Sequence, residues 1–203
     1  VSHLGEATML TGLAQVYASL TPAIIAAVLN MAWVKTPWLR SWGPIDAGRV
    51  LRDGRRLFGD NKTWKGLLGV TVLGVLAGLA WGALGEGNAI GRNNLFLLDH
   101  ASTPAWHALT GGLLGLAYGL LELPNSWLKR RVGITPGHTH AGAWRPLFVV
   151  LDQIDSVVGC AVVLALLAPV SGAMFVAIIA LGGLTHLVLN LLLYAVGLRK
   201  HPL

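Results

Sequence analysis

Leu147-Phe148-Val149-Val150-Leu151-Asp152-Gln153-Ile154-Asp155-Ser156-Val157-Val158-Gly159-Cys160-Ala161-Val162-Val163-Leu164-Ala165-Leu166-Leu167 is apolar from end to end, except for one short polar cluster. Its length is close to the roughly 20 residues that an α-helix needs to cross a bilayer. Two carboxylates, Asp152 and Asp155, stand a few residues inside it. At i, i+3 they share one face of a helix. Two like charges on one face in hydrocarbon are expensive unless a cation compensates them. The run therefore reads as a membrane helix with a purpose, and Gly159, one turn on, leaves room beside the pair.

Four more runs of similar length surround it: Met9 to Val34, Gly66 to Leu84, Ala105 to Leu121, and Gly172 to Leu198. The third is the shortest. Pro22 inside the first predicts a kink. The composition agrees, with 54% hydrophobic and only 12% charged residues; a soluble domain carries roughly 25% charge. The 26 glycines follow no three-residue period, which excludes collagen and suits close helix approach in lipid. Eight tryptophans suit interfacial anchoring. The single cysteine, Cys160, reads as a buried small hydrophobe and reports no redox compartment. No internal repeat stands out, and no separate cleavable signal peptide is expected. The reading is an all-α integral membrane protein of about five transmembrane helices, forming a single domain over residues 1–203.

The basic residues orient it. Of the 15 Lys and Arg, eight fall between Lys35 and Lys65, four between Glu122 and Pro146, and two in the tail at Arg199 and Lys200. Only Arg92 lies elsewhere. With five spans these three segments share one side, and the positive-inside rule makes that side cytoplasmic. The net charge of +6 then points to anionic headgroups or a phosphorylated substrate and not to nucleic acid.

Three polar blocks lie on that side. The first runs Pro44-Ile45-Asp46-Ala47-Gly48-Arg49 and continues Asp53-Gly54-Arg55-Arg56-Leu57-Phe58-Gly59-Asp60-Asn61-Lys62-Thr63-Trp64-Lys65-Gly66. Glycines that admit a ligand close to backbone amides alternate with cations suited to phosphate. The second is Glu122-Leu123-Pro124-Asn125-Ser126-Trp127-Leu128-Lys129-Arg130-Arg131. Pro124 is where a new helix would start, with Ser126 and Lys129 or Arg130 on one face. The third is the Asp152/Asp155 pair, whose oxygens suit Mg²⁺ together with waters and substrate phosphates. His138 and His140 could hold a metal by proximity but read as loop residues, and His186 reads as an interhelical polar residue.

Together these blocks resemble the CDP-archaeol synthase family, within the membrane CTP:lipid-phosphate cytidylyltransferases. The matching residues are Pro44-Ile45-Asp46-x-Gly48, Asp53-Gly54-Arg55-Arg56, Gly59-Asp60-Asn61-Lys62-Thr63-Trp64-Lys65-Gly66, Ser126-x-x-Lys129-Arg130-Arg131-x-Gly133, and Asp152-Gln153-x-Asp155-x-x-x-Gly159. Two departures stand out. Glu122 stands where the family has Asp, and the connection from Ile134 to Phe148 is longer than the family's.

The resemblance implies transfer of CMP from CTP to a membrane lipid phosphate, isoprenoid ether or diacyl, with Mg²⁺ and release of pyrophosphate. It implies Asp152 and Asp155 on the metal, with Glu122 as a possible third ligand. Lys62, Lys129 and Arg130 would hold phosphates, and Arg55 and Arg56 either join them or form a topogenic surface. Asn61, Thr63 and Ser126 would hydrogen-bond nucleotide or phosphate. Three other readings fare worse. A CDP-alcohol phosphotransferase lacks its Asp-Gly-x-x-Ala-Arg pattern here, a small transporter lacks an inverted repeat, and a membrane scaffold has no need of carboxylates in lipid.

Overall fold

The computed structural model describes residues 2–39, 41–136 and 142–197, with side chains from residue 9 onward. The loop with His138 and His140, and the cations Arg40, Arg199 and Lys200, lie outside the described residues.

The chain forms α1 (Ser2–Lys35), α2 (Trp64–Gly85), the short α3 (Ala89–Asn93) with a 3-10 turn at Leu95–Leu97, α4 (Pro104–Arg131), α5 (Arg145–Leu167) and α6 (Gly172–Ala195). Side-chain caps start three of the long helices. Thr63, Thr103 and Ser171 accept from the backbone N–H of Gly66, Trp106 and Met174 at 3.1, 3.2 and 3.2 Å. Within α1 Met9–Lys35, and over α2, α5 and α6, four helices are long and apolar enough to cross a bilayer. The fifth expected span, Ala105 to Leu121, is the first part of α4, whose 28 residues end in Lys129, Arg130 and Arg131 and so fall short of the others in apolar character.

Two prolines lie inside helices. Pro22 removes the N–H that would bond the Ala18 carbonyl. The indole N–H of Trp81 fills that vacancy, donating to Ala18 at 2.8 Å, and α1 continues as helix through the proline. Pro124 does not start a helix; it lies inside α4. It is exposed, and its neighbours are tied down: Glu122 to Lys62, and Asn125 to Asp152 and Asp155. One continuous helix thus carries Glu122, Asn125, Ser126 and Lys129 on adjoining turns of one side.

The most extensive packing joins α2 to α4 through facing glycines four residues apart, Gly74 and Gly78 on α2 and Gly111 and Gly115 on α4. A Cβ on Gly111 would overlap the Gly74 carbonyl oxygen and come within 2.9 Å of the Gly78 Cα. Backbone has no rotamer to yield, so the helices must part. Gly111→Ala is expected to destabilise the protein by about 1–3 kcal/mol. Thermal unfolding in detergent would read this as a lowered midpoint; an unchanged midpoint would contradict the packing. Behind this seam, Leu114, Cys160, Ala161, Leu164 and Ile178 form a buried apolar centre with Val16 and Leu20. Cys160 is buried there as expected.

Candidate active site

The segment between α1 and α2 folds around one carboxylate. Asp46 accepts from the N–H groups of Gly48, Phe58 and Gly59 at 3.1, 3.0 and 3.0 Å, and from Arg56 at 2.7 and 3.3 Å. Burial opposes its charge, but the Arg56 hydrogen bond and the three amides outweigh it and hold the carboxyl well below the usual range. A depressed carboxyl stabilises the fold above its unfolded pKa and loses that contribution only as pH falls through the folded value. The loop is therefore anchored throughout the neutral range. Gly59, at φ +104°, takes a conformation that favours glycine, and a Cβ there would meet Pro136 at 2.8 Å.

Further anchors clamp this loop to α4. Arg131 pairs with Asp53 at 2.5 Å and donates to the Arg56 carbonyl at 2.5 Å. Arg55 donates back to the carbonyls of Arg130 and Arg131. Arg56 also meets Asp60 at 2.8 Å. Arg55 and Arg56 are thus engaged in the loop itself. Lys65 caps α1, donating to the Thr36 carbonyl at 2.7 Å and the Val34 carbonyl at 3.3 Å, where the helix end is negative.

The clamp brings Lys62 to Glu122, and the two form an ion pair. From there a continuous polar chain crosses the helices. The Ser156 hydroxyl lies 3.1 Å from Glu122 Oε1 and 3.2 Å from Asp155 Oδ1. The Asn125 amide donates to Asp155 Oδ2 at 2.8 Å and to Asp152 Oδ1 at 2.7 Å. Lys129 closes the chain on Asp152 Oδ2 at 2.5 Å. Burial works against the Lys62 charge, but Glu122, with help from Asp155 and Asp152, outweighs it and raises its pKa above the ordinary lysine value.

Five of the residues expected from the sequence therefore converge: Lys62, Glu122, Lys129, Asp152 and Asp155. Asn61, Thr63 and Lys62 line a cavity of about 360 Å³ between α1, α2 and α4, with Asn30, Trp42 and Tyr118 on its other walls. The Thr63 hydroxyl is also the α2 cap. Ser126 is half-buried beside Asn125. Arg130 is buried on another side of α4, near Gly59, and its Nε and Nη1 have no hydrogen-bond partner among the described residues. A buried guanidinium with unused donors suits an anion.

The donor set also suits a divalent cation. Three carboxylates face two ammonium groups, leaving one negative charge in excess. The buried Asn125 Oδ1 has no partner among the described residues, while Nδ2 of the same amide faces both aspartates; turning the amide over would present Oδ1 to a cation there. Among the described residues no three His, Cys, Asp or Glu side chains gather closely enough to hold a metal by themselves. Two carboxylates plus an amide oxygen would suit Mg²⁺, which keeps waters and takes phosphate oxygens, better than a structural zinc site.

Sequence reasoning passed over Asn125, Ser156 and Asp46 as site residues. The Asp-x-Gly turn was the available signal for Asp46. For Asn125 it was the i, i+4 spacing to Lys129, which puts both on the face toward Asp152.

Comparison with known proteins adds independent information. Residues 12–203 match the family model described as CarS-like CDP-archaeol synthase. The chain is 33% identical to the CDP-archaeol synthase of Methanoculleus marisnigri, covering 78% of this chain and 89% of that one. It is 38% identical to that of Aeropyrum pernix, covering 78% of each. A solved structure described as "Structural insight into an intramembrane enzyme for archaeal membrane lipids biosynthesis" superposes with a TM-score of 0.59 at 30% identity, covering 86% of this chain and 91% of that one.

Proposed function

The chain belongs to the CDP-archaeol synthase family, and from that premise we propose that its polar chain from Lys62 to Lys129 transfers CMP from CTP to an isoprenoid ether lipid phosphate with the aid of Mg²⁺. The protein is an integral membrane enzyme, a CTP-dependent lipid cytidylyltransferase of archaeal lipid biosynthesis. The observation that carries the proposed site is the Asp152–Asn125–Asp155 arrangement, with a lysine at each end of the chain.

The chemistry asks little of a base. A phosphate monoester has a second pKa of about 6, so its oxygen is anionic near neutrality and attacks the α-phosphorus of CTP directly. The bond to the bridging oxygen of the β-phosphate breaks, and pyrophosphate leaves. The barrier is the meeting of two anions, so positioned positive charge is the main requirement. Mg²⁺ held by Asp152, Asp155 and Asn125 Oδ1 would supply charge neutralisation on the phosphates. Lys62 and Lys129 stand at opposite ends of the carboxylates and neutralise the two anions. Arg130 offers its unpartnered donors to a phosphate oxygen. The cavity of about 360 Å³ beside Lys62 receives the nucleotide. An apolar groove of about 510 Å³ between α5 and α6, lined by Val150, Ile154, Ile179 and Leu187, offers the lipid chains a sideways approach. The bias of basic residues supports a cytoplasmic site.

Purified protein given CTP labelled at the α-phosphate, Mg²⁺ and a panel of lipid phosphates tests the reading. The label is expected in a CDP-lipid with isoprenoid ether chains, and label placed at the γ-phosphate in pyrophosphate. Labelled lipid from γ-labelled CTP, or none from either, would overturn it.

A further inference from the structure

α6 is apolar along most of its length, and two of its polar residues meet α5 at one place. Asn190 donates from Nδ2 to Gln153 Oε1 at 2.9 Å, and both side chains are buried. One turn earlier on α6, Nδ1 of His186 lies 3.3 Å from the Gln153 carbonyl. A carbonyl only accepts, so this nitrogen donates. Three residues before it, Gly183 lets α6 come close: a Cβ there would stand 3.0 Å from Ile154 Cγ2 and 3.7 Å from the Gln153 carbonyl oxygen. α6 therefore grips the segment Asp152-Gln153-Ile154-Asp155 by its two middle residues. α4 holds the two outer ones through Asn125 and Lys129.

The four residues share one helical turn, so whatever turns Gln153 turns Asp152 and Asp155 with it. Apolar contacts, such as that of Val157 on Gly182, set no single rotation, and in lipid no hydrophobic force presses helices together. Asn125 and Lys129 reach the carboxylates through side chains that follow a rotation of α5. A hydrogen bond between buried amides is directional, and a buried polar pair fixes one register among several apolar alternatives. Outer side-chain atoms lie about 5–6 Å from a helix axis, so a rotation of about 20° carries them through about 2 Å. That is a whole Mg²⁺–oxygen bond, and Mg²⁺ demands near-ideal octahedral geometry. We propose that Asn190 is a positioning residue for the carboxylate pair: through its hydrogen bond to Gln153 it fixes the rotation of α5 at which Asp152 and Asp155 together suit a small divalent cation. The inference rests on the reading that these two aspartates hold the metal.

The test is equilibrium binding of Mn²⁺, which takes octahedral oxygen sites as Mg²⁺ does, and of Ca²⁺ to the purified full chain without CTP or lipid. Thermal unfolding in detergent is measured beside it. Asn190→Leu strands a buried Gln153 oxygen, so it is expected to lower the unfolding midpoint and to weaken Mn²⁺ binding about tenfold. Gln153→Leu/Asn190→Leu removes both partners, which is nearly neutral for stability. Its midpoint should return to that of the unaltered protein while Mn²⁺ binding stays about tenfold weak. Ca²⁺ accepts flexible geometry, so its binding should fall by about threefold or less in both variants. Mn²⁺ binding that recovers with the midpoint in the double variant makes the pair merely structural and overturns the proposal. Equal losses of Mn²⁺ and Ca²⁺ binding overturn it as well. Asp155→Asn separates the two readings. If it loses Mn²⁺ and Asn190→Leu does not, only the positioning role fails. If it binds Mn²⁺ like the unaltered protein, the metal reading fails and this one with it.

Discussion

Asp152→Asn and Asp155→Asn are each expected to reduce CDP-lipid formation by about a hundredfold or more, since charge stabilisation by a bound metal is worth several kcal/mol. Asparagine keeps the shape and removes the charge, so the loss isolates electrostatics from packing. The two positions should differ in a second way. Asp152 also receives Lys129 at 2.5 Å, so neutralising it leaves an ammonium group without its partner. Asp155 is held by Asn125 and Ser156, both neutral, so its loss leaves no orphaned charge. Raising Mg²⁺ should therefore recover part of the activity of Asp155→Asn and less of that of Asp152→Asn. Turnover is measured across a Mg²⁺ titration. Near-normal turnover of either variant at limiting Mg²⁺ removes that residue from the metal.

Lys62→Arg and Lys129→Arg are expected to insert and fold but to lose about ten- to a hundredfold in turnover, the equivalent of one charge-assisted contact of about 1.5–3 kcal/mol. Both keep the charge, so any topogenic role is unaffected. The cause is shape. A lysine presents a compact charge and an arginine a planar fork. The Lys129 side chain is only 12% exposed and ends between α4 and α5, where a guanidinium has to displace a helix or leave Asp152. Lys62 meets Glu122 at the cavity, and a fork there projects into the space assigned to the nucleotide. CDP-lipid formation is compared on preparations with matching helix content and elution volume. Full activity in both would reduce these lysines to topology signals and shift the phosphate role to Arg130.

The helices and the facing carboxylates were legible in the sequence because their signals are local. Length and apolarity disclose a span, and i, i+3 spacing discloses a shared face. Lys62, Lys129 and Glu122 were legible as residue types at a membrane boundary. What local pattern does not carry is partnership across the chain. Asp46 gathers amides from positions 48, 58 and 59, and Arg131 reaches back to Asp53. Nothing in the spacing of the arginines distinguishes one that braces a loop, such as Arg55 or Arg56, from one with unused donors, such as Arg130. Pro124 misled for the same reason. Its local preference for a helix start was overridden by contacts that fix α4 on both sides of it. His186 was read as a satisfied interhelical polar residue, and its hydrogen bonds to Tyr118 and to the Gln153 carbonyl agree.

The glycine seam between α2 and α4 has a mechanical meaning. Where two helices meet through side chains, each rotamer hop lets them slide slightly. Gly74, Gly78, Gly111 and Gly115 place backbone on backbone, so the pair moves as a single strut. Lys62 enters the site one residue before the α2 cap, and Glu122 stands seven residues, about two turns, beyond Gly115. The separation of the cation from its carboxylate is thus gauged by a stiff member.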